Sequence, residues 1–245
     1  MKPLHPWDVR VEEAIEIQKA LKERIILKNT FPRVRPVRNI GRCDPSTYSG
    51  GIISKGVRII GGGDVAYSRN ENLLFGAMVV LSFPDMEILD TATAHDKIPY
   101  PYISSLLSFR EGPILIKVFQ KLKLKPDVMI FDGQGIAHPR GMGLASHIGL
   151  WLDIPSIGCA KTPLLDEFIS PGPSRGSFEW IRWEGKKVGV VLRTKEKVKP
   201  LFVSPGHLID LSTSIQLILE SCKGFRFPEP LRKAHHLTRE MLRRA

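Results

Sequence analysis

Three acidic residues lie where carboxylates could bind a divalent metal ion. Asp64 follows three glycines inside an otherwise apolar stretch, and a carboxylate buried in a strand is costly unless it is paired or bound to a cation. Asp132 ends the apolar run 128–131, and ligands gather outside the carboxyl ends of strands in sheets with parallel pairing. Glu111 precedes a Gly-Pro pair. Together, three such oxygen ligands suit Mg²⁺, which aligns water and stabilises charge at a phosphorus.

Each of these carboxylates also has a purely structural explanation. Asp64 could cap a turn at the end of its strand, and Asp132 could start a tight turn, since Asp-Gly is a frequent turn pair. A helix that begins near residues 112–113 would place Glu111 at its positive end, which is favourable by itself. For Glu111 taken alone this structural explanation is the favoured one.

Other side chains could assist the carboxylates. Lys161 ends the apolar run 154–160, where it could neutralise a phosphate oxygen or simply lie at the surface. His138 and His235 could be proton carriers, metal ligands or packed histidines. Tyr102 lies in a stiff loop, residues 99–103, that could insert a ring into a base stack. From that segment alone, a loop pinned into the core by its tyrosines is favoured.

Composition and charge restrict the function classes. The 245 residues carry a net charge of +11, with basic side chains concentrated in residues 31–58 and in the tail from residue 223. Such clusters suggest a polyanionic partner, because each neutralised phosphate releases counterions. The three cysteines are far apart and exclude a disulfide framework or zinc knuckle as first choice. Neither a membrane span nor a secretory signal is recognisable, so we expect a cytoplasmic protein.

Apolar periodicity predicts the elements that position these residues. Residues 8–28 predict a helix, with Asp8 as its cap and Gln18 within its apolar stripe. Residues 29–56 predict a basic loop or linker. The core from residue 57 begins with three strands joined by short connections, 57–68, 72–82 and 86–95, which predict an antiparallel meander.

The rest of the core alternates strands and helices. A helix over 105–122, a buried strand over 126–133, a helix over 141–153 and a strand over 154–162 imply parallel pairing. A hairpin over 178–193, the segment 199–207, a helix over 210–222 capped by Asp210 and a last helix over 229–244 follow. The expected fold is α/β, a mixed sheet with an antiparallel meander followed by parallel strands and helices on both faces. We expect residues 1–245 to form a single domain.

Several long segments resemble successive motifs of the endonuclease V family, in the same order. They are GGGDVAYS, PYISSLLSFREGP, DVMIFDGQGIAHPRGMGLASHIGL, IPSIGCAKT, KPLFVSPGH and FPEPLRKAH, spanning about residues 57–236. The resemblance implies a ribonuclease-H-like fold and hydrolysis of the second phosphodiester bond 3′ to a deaminated base, chiefly hypoxanthine, leaving 3′-hydroxyl and 5′-phosphate ends. The implied cofactor is Mg²⁺, with Mn²⁺ as a substitute. The implied partner is DNA with deaminated bases, RNA being left open, and the protein is expected to be monomeric.

The same resemblance implies roles for individual residues. Asp64 and Asp132 would coordinate Mg²⁺, Glu111 would complete the carboxylate set, and Lys161 would be the active-site lysine. His235, not its neighbour His236, matches the late position near the metals. The base-binding residues would be the wedge Tyr102 and a loop containing Gly133, Gly135 and His138.

Selection of a deaminated base has a simple chemical explanation in this scheme. Deamination replaces the amino donor of adenine by an oxygen acceptor, which backbone N–H groups of the glycine-rich loop could bond and which adenine cannot supply. One departure from the family pattern is Ser104, which stands where the wedge motif usually has proline.

Two other functions fit the same residues. A different ribonuclease-H-like nuclease, such as a junction resolvase or a ribonuclease, would use the same metals without preferring inosine. A non-catalytic nucleic-acid-binding module would bind without nicking, although the intact carboxylate set argues against it.

Overall fold

A computed structural model describes residues 3–30, 56–68, 72–166 and 168–245. Most of the predicted basic loop 29–56, residues 69–71 of the predicted turn 69–72, and Cys43 lie outside the described residues. Within those ranges the helices are α1 (Val11–Lys22), α2 (Leu107–Lys121), α3 (Leu144–Leu152), α4 (Leu211–Ser221) and α5 (Glu229–Arg244). The strands are β1 (Ile59–Tyr67), β2 (Leu73–Ser82), β3 (Ile88–Lys97), β4 (Val128–Phe131), β5 (Ser156–Ala160), β6 (Phe178–Trp183), β7 (Lys186–Leu192) and β8 (Leu201–His207).

All eight of these strands form one mixed sheet in the order β3-β2-β1-β4-β5-β8-β7-β6. The first three strands pair antiparallel, as the meander prediction requires. β4 joins β1 in parallel and β5 joins β4 in parallel, which confirms the pairing inferred from the strand–helix alternation. β8 and the β6–β7 hairpin complete the sheet with antiparallel pairs.

Helices cover both faces of the sheet, as predicted. On one face, α2 and α3 bury apolar residues of β2 and β4 such as Met78 and Phe131. On the other face, α4 and α5 pack over Ile60, Ile130 and Val203. No helix in the described part of the chain combines the length and the apolar character that crossing a membrane requires.

Two helix boundaries differ from the sequence prediction. α1 runs over residues 11–22 rather than 8–28, and its N-cap is Arg10 without a side-chain bond, so Asp8 does not cap it. α2 begins at Leu107 and contains Pro113, so Glu111 lies inside the helix and not at its mouth. Proline removes one backbone donor, which a helix tolerates when tertiary packing holds it. In contrast, Asp210 caps α4 as predicted, accepting from the Thr213 amide at 2.7 Å.

The glycines before Asp64 have a packing role. A Cβ at Gly62 would lie 2.2 Å from the carbonyl carbon of Pro230 in α5. Only a residue without a side chain therefore lets α5 approach β1 so closely. This close approach brings the side chains of α5 to Asp64.

Candidate active site

Asp64, inside β1, and Asp132, directly after β4, lie side by side where these two strands pair in parallel. Gly63 of β1 is paired with Phe131 of β4, and each aspartate follows its paired residue. Adjacent strands lie ~5 Å apart, so the two carboxylates belong to one local site. The structure thus brings together a carboxylate that the sequence analysis placed inside a strand and one that it placed at a strand end.

Asp64 is held by two residues of α5. Its Oδ2 accepts a hydrogen bond from the Thr238 hydroxyl at 2.6 Å and another from His235 Nδ1 at 3.1 Å. The aspartate is 6% exposed and Thr238 is fully buried. His235 thus lies beside the carboxylate, where the family resemblance puts it, while Thr238 is a contact that the sequence analysis missed.

Asp132 forms an ion pair with Lys161, which follows β5. Burial raises the pKa of Asp132, and the lysine opposes that rise through its charge and its hydrogen bond. The nearby Asp64 carboxylate raises the same pKa further. Because β4 and β5 are parallel neighbours, the lysine and the aspartate emerge at the same edge of the sheet.

Glu111 reaches the site from the second turn of α2. The hydroxyl of Tyr67 donates to its Oε1 at 2.7 Å, and the Arg110 guanidinium lies 4.8 Å from the centre of the Tyr67 ring. Burial raises the pKa of Glu111 to about 8, and repulsion from Asp64 and Asp132 adds to the rise despite the tyrosine bond. The three carboxylates therefore interact electrostatically.

The donor set fits a hard divalent cation. Buried carboxylates that repel one another are stabilised when a cation neutralises them, and carboxylate oxygens are the ligands that Mg²⁺ prefers. Among the described residues, no three His, Cys, Asp or Glu side chains are arranged as a complete metal-binding group. Instead, Asp132 pairs with Lys161, and Asp64 pairs with Thr238 and His235.

A cavity of about 410 Å³ opens beside Asp132. Its wall contains Asp132 and Lys161 on one side and the loop that carries Tyr102 on the other. Tyr102 is 76% exposed at the rim, whereas Tyr100 is buried. Each tyrosine therefore fits one of the two predicted alternatives. Tyr100 anchors the loop in the core, and Tyr102 presents its ring to solvent.

A hydrogen-bonded clamp holds the tyrosine loop against the rest of the cavity. The carbonyl of Ser105 accepts from Gln18 at 3.1 Å, from His138 at 2.8 Å and from Arg140 at 2.9 Å. Arg140 also donates to the Ser105 hydroxyl and to Gln18 Oε1. Ser105 has a φ of 66°, a left-handed backbone that costs a non-glycine residue energy and is kept by these bonds. Gln18, Ser105 and Arg140 were not identified from the sequence as functional residues.

His138 is a neutral member of this clamp. Its Nε2 must donate to the Ser105 carbonyl, and its Nδ1 accepts from the Arg140 amide at 3.1 Å, so both ring nitrogens are used without a second proton. Burial lowers the pKa of His138 to about 4, although the bond to Ser105 opposes this. The residue lines the cavity, as predicted, and its contacts there are with the tyrosine loop.

The two glycines after Asp132 form hydrogen bonds within the protein. Gly133 lines the cavity, but its amide donates to the Phe131 carbonyl at 2.9 Å. The amide of Gly135 donates to the Ser204 hydroxyl at 2.8 Å, and a Cβ there would lie 2.1 Å from the Pro205 carbonyl oxygen. Gly135 thus packs the loop onto β8, and both of these amides have acceptors within the protein.

Comparison with known proteins gives consistent matches. A sequence model of the family Endonuclease V matches residues 47–236. Endonuclease V of Dictyoglomus thermophilum is 44% identical over 231 residues, covering 94% of this chain and 90% of that protein. The crystal structure of endonuclease V from Streptomyces avermitilis is similar with a TM-score of 0.83 at 34% identity, covering 97% of this chain and 95% of that one. Endonuclease V of Ciona intestinalis, in complex with a 24mer DNA containing an inosine followed by a ribo-adenosine, gives a TM-score of 0.77 at 28% identity, covering 96% and 98%.

Proposed function

The chain belongs to the endonuclease V family and has its ribonuclease-H-like fold, and on that premise we propose that it is a Mg²⁺-dependent repair endonuclease acting at deaminated purines. As a family member it is a nuclease that hydrolyses phosphodiester bonds. The finer proposal is cleavage of the second phosphodiester bond 3′ to hypoxanthine, with 3′-hydroxyl and 5′-phosphate products. Inosine-containing DNA is bound by the Ciona relative, which supports this substrate.

One observation carries the proposal: the same cavity is lined by the exposed Tyr102 and by Asp132 of the acidic site. The cavity of about 410 Å³ falls within the range of ligand pockets and is bounded by Asp132 and Lys161. A base turned out of the stack into this cavity would bring its own strand past the carboxylates. Tyr102, which is 76% exposed, is free to fill the gap left in the stack.

The catalytic residues have separate tasks. Asp64 and Asp132 would hold Mg²⁺, with Glu111 completing the carboxylate set, and the ion supplies positive charge at the phosphate under attack. Lys161, half-exposed beside Asp132, offers a cation to a phosphate oxygen. His235 orients Asp64 and is itself partly exposed, so it can also meet the substrate.

One experiment tests both whether the substrate is DNA or RNA and whether the target base is hypoxanthine. Matched DNA and RNA strands with a single inosine, or adenosine at the same place, are incubated with the protein and Mg²⁺ and the product ends are mapped. We expect cleavage at the second phosphodiester bond on the 3′ side of the base, and only in strands that contain inosine. Equal cutting of matched strands would indicate a ribonuclease-H-like nuclease of another specificity. Binding that survives EDTA without any nicking in Mg²⁺ would indicate a non-catalytic module.

A further inference from the structure

A single hydrogen bond holds the Glu111 side chain. The hydroxyl of Tyr67, the last residue of β1, donates to Glu111 Oε1 at 2.7 Å. In the part of the chain that the structure describes, the second oxygen, Oε2, has no hydrogen-bond partner. Asp64, by comparison, is held by two residues of α5. With Oε1 bound to the tyrosine, Oε2 is the Glu111 oxygen that is left for an ion.

Tyr67 lies on the face of the sheet opposite to α5. Side chains alternate between the two faces of a strand, and Tyr67 follows Asp64 by three positions in β1. Asp64 accordingly bonds to α5, whereas the Tyr67 ring packs with the apolar cluster under α2, the helix that contains Glu111. One strand thus supplies a carboxylate of the acidic site and also the donor that holds a second carboxylate from the other face.

Arg110 holds the Tyr67 ring in turn. Its guanidinium lies 4.8 Å from the centre of the ring, and its Nη1 donates to the Tyr100 carbonyl at 2.6 Å. A cation is attracted to an aromatic face, so the ring is held between the arginine and the apolar cluster under α2. Because Tyr100 lies two residues before Tyr102, these contacts connect Glu111 with the loop that carries the exposed tyrosine.

We propose that Tyr67 is a positioning residue whose hydroxyl orients the Glu111 carboxylate and so makes its second oxygen available to the Mg²⁺ ion of the acidic site. This inference rests on the proposed function and adds to it a residue that acts through Glu111. Outer hydrogen bonds of this kind fix a ligating carboxylate before the metal binds, which lowers the entropy cost of ordering the side chain. Among the described residues, Asp132 and Tyr102 line the cavity but Tyr67 does not, so we expect Tyr67 to affect metal binding and cleavage rather than binding of the base.

The test begins with Tyr67→Phe, which removes the hydroxyl and keeps the ring that Arg110 contacts. Mn²⁺ is titrated into the protein without nucleic acid, and electron paramagnetic resonance measures the free ion. We expect Mn²⁺ to bind ~10-fold more weakly to the variant, the scale of one hydrogen bond to a charged group. The single-turnover nicking rate at low Mg²⁺ should fall by about the same factor, while the affinity for inosine-containing DNA in EDTA stays unchanged.

Tyr100→Phe is the matched control, because the Tyr100 hydroxyl is buried and has no hydrogen-bond partner among the described residues. The same chemical change at this position should leave the Mn²⁺ affinity unchanged, and thermal melting checks that each variant folds. A second comparison uses Glu111→Ala, in which Tyr67→Phe should cause no further loss of Mn²⁺ affinity, because the hydroxyl acts through the carboxylate. Equal Mn²⁺ affinities of Tyr67→Phe and Tyr100→Phe, or an equal loss with and without Glu111, would mean a structural role only and overturn the inference.

The outcomes also separate this inference from the proposed function. If the wild-type protein cuts inosine strands selectively but Tyr67→Phe binds Mn²⁺ as tightly as the wild-type protein, the inference fails and the proposed function stands. If Tyr67→Phe weakens Mn²⁺ binding as expected while the wild-type protein shows no preference for inosine, the inference about the metal site stands and the base specificity of the proposed function fails.

Discussion

Thr238 offers a sharp test of how the α5 helix prepares the acidic site. Its hydroxyl donates to Asp64 Oδ2 at 2.6 Å. Because Thr238 is fully buried, it acts on the site through Asp64 and not by contact with the substrate. Thr238→Val keeps nearly the same shape and removes this one donor. Such outer contacts fix the orientation of a ligating carboxylate, and we expect the change to weaken metal binding rather than folding.

The size of the effect follows from the type of bond. A hydrogen bond to a charged group is worth ~1.5–3 kcal/mol, and each ~1.4 kcal/mol is a factor of ten, so the expected loss is ~10–100-fold. The His235 bond to the same oxygen remains, which favours the lower part of that range. The loss should appear as a higher Mg²⁺ concentration for half-maximal nicking of inosine-containing DNA.

Thr238→Ser is the matched control, because it keeps the hydroxyl and loses only a methyl group. It should retain most of the Mg²⁺ affinity, while thermal melting checks that both variants fold. If Thr238→Val required no more Mg²⁺ than the wild-type protein and nicked at the same rate, the helix would not be preparing Asp64 for a metal ion.

Four further changes test other parts of the structure. Asp132→Ala should abolish nicking while the melting temperature changes little, because it removes a proposed metal ligand; residual Mg²⁺-dependent nicking would refute that role. Tyr102→Ala should weaken binding of inosine DNA more than of plain duplex, and an unchanged ratio in a binding titration would remove the wedge assignment. His138 is neutral in the folded state, where its pKa is about 4, against ~6.5 in the unfolded chain. The stability that it contributes is therefore fully present above pH ~6.5 and falls by ~3 kcal/mol as the pH drops to about 4. Denaturant titrations should show a shallower acid loss in His138→Gln, and an identical slope would contradict this. Gly62→Ala should lower the melting temperature by several degrees and reduce activity, because its Cβ would meet the Pro230 backbone at 2.2 Å; a fully stable variant would mean that α5 can shift freely.

The sequence predicted the sheet well because its strands carry local signals. Apolar runs bounded by turn residues predicted β1 to β5, and the parallel pairing of β1 with β4 brings Asp64 and Asp132 together. Glu111 was harder to place, because a proline two residues later suggested a helix start where the chain is already helical. There packing on the sheet outweighs the local preference.

Contacts between distant segments could not be read from the sequence in the same way. Thr238 lies three residues after His235 on one face of α5, and this spacing was the available signal, but it gains meaning only once α5 is known to pack on β1. Gln18 offered a similar signal as a polar residue in an apolar stripe. Its partners Ser105 and Arg140 are far along the chain, and no periodicity predicts such pairs.

The N-terminal helix contributes to the cavity from outside the residues that the family model matches. The family model matches residues 47–236, yet Gln18 of α1 is fully buried in the cavity wall and ties the tyrosine loop to the opposite side. A shortened protein trimmed to the matched region would keep all three carboxylates and Lys161. It would lose Gln18 and, with the end of α5, Thr238, so we expect such a fragment to lose both a contact that holds the tyrosine loop and the hydroxyl that holds Asp64.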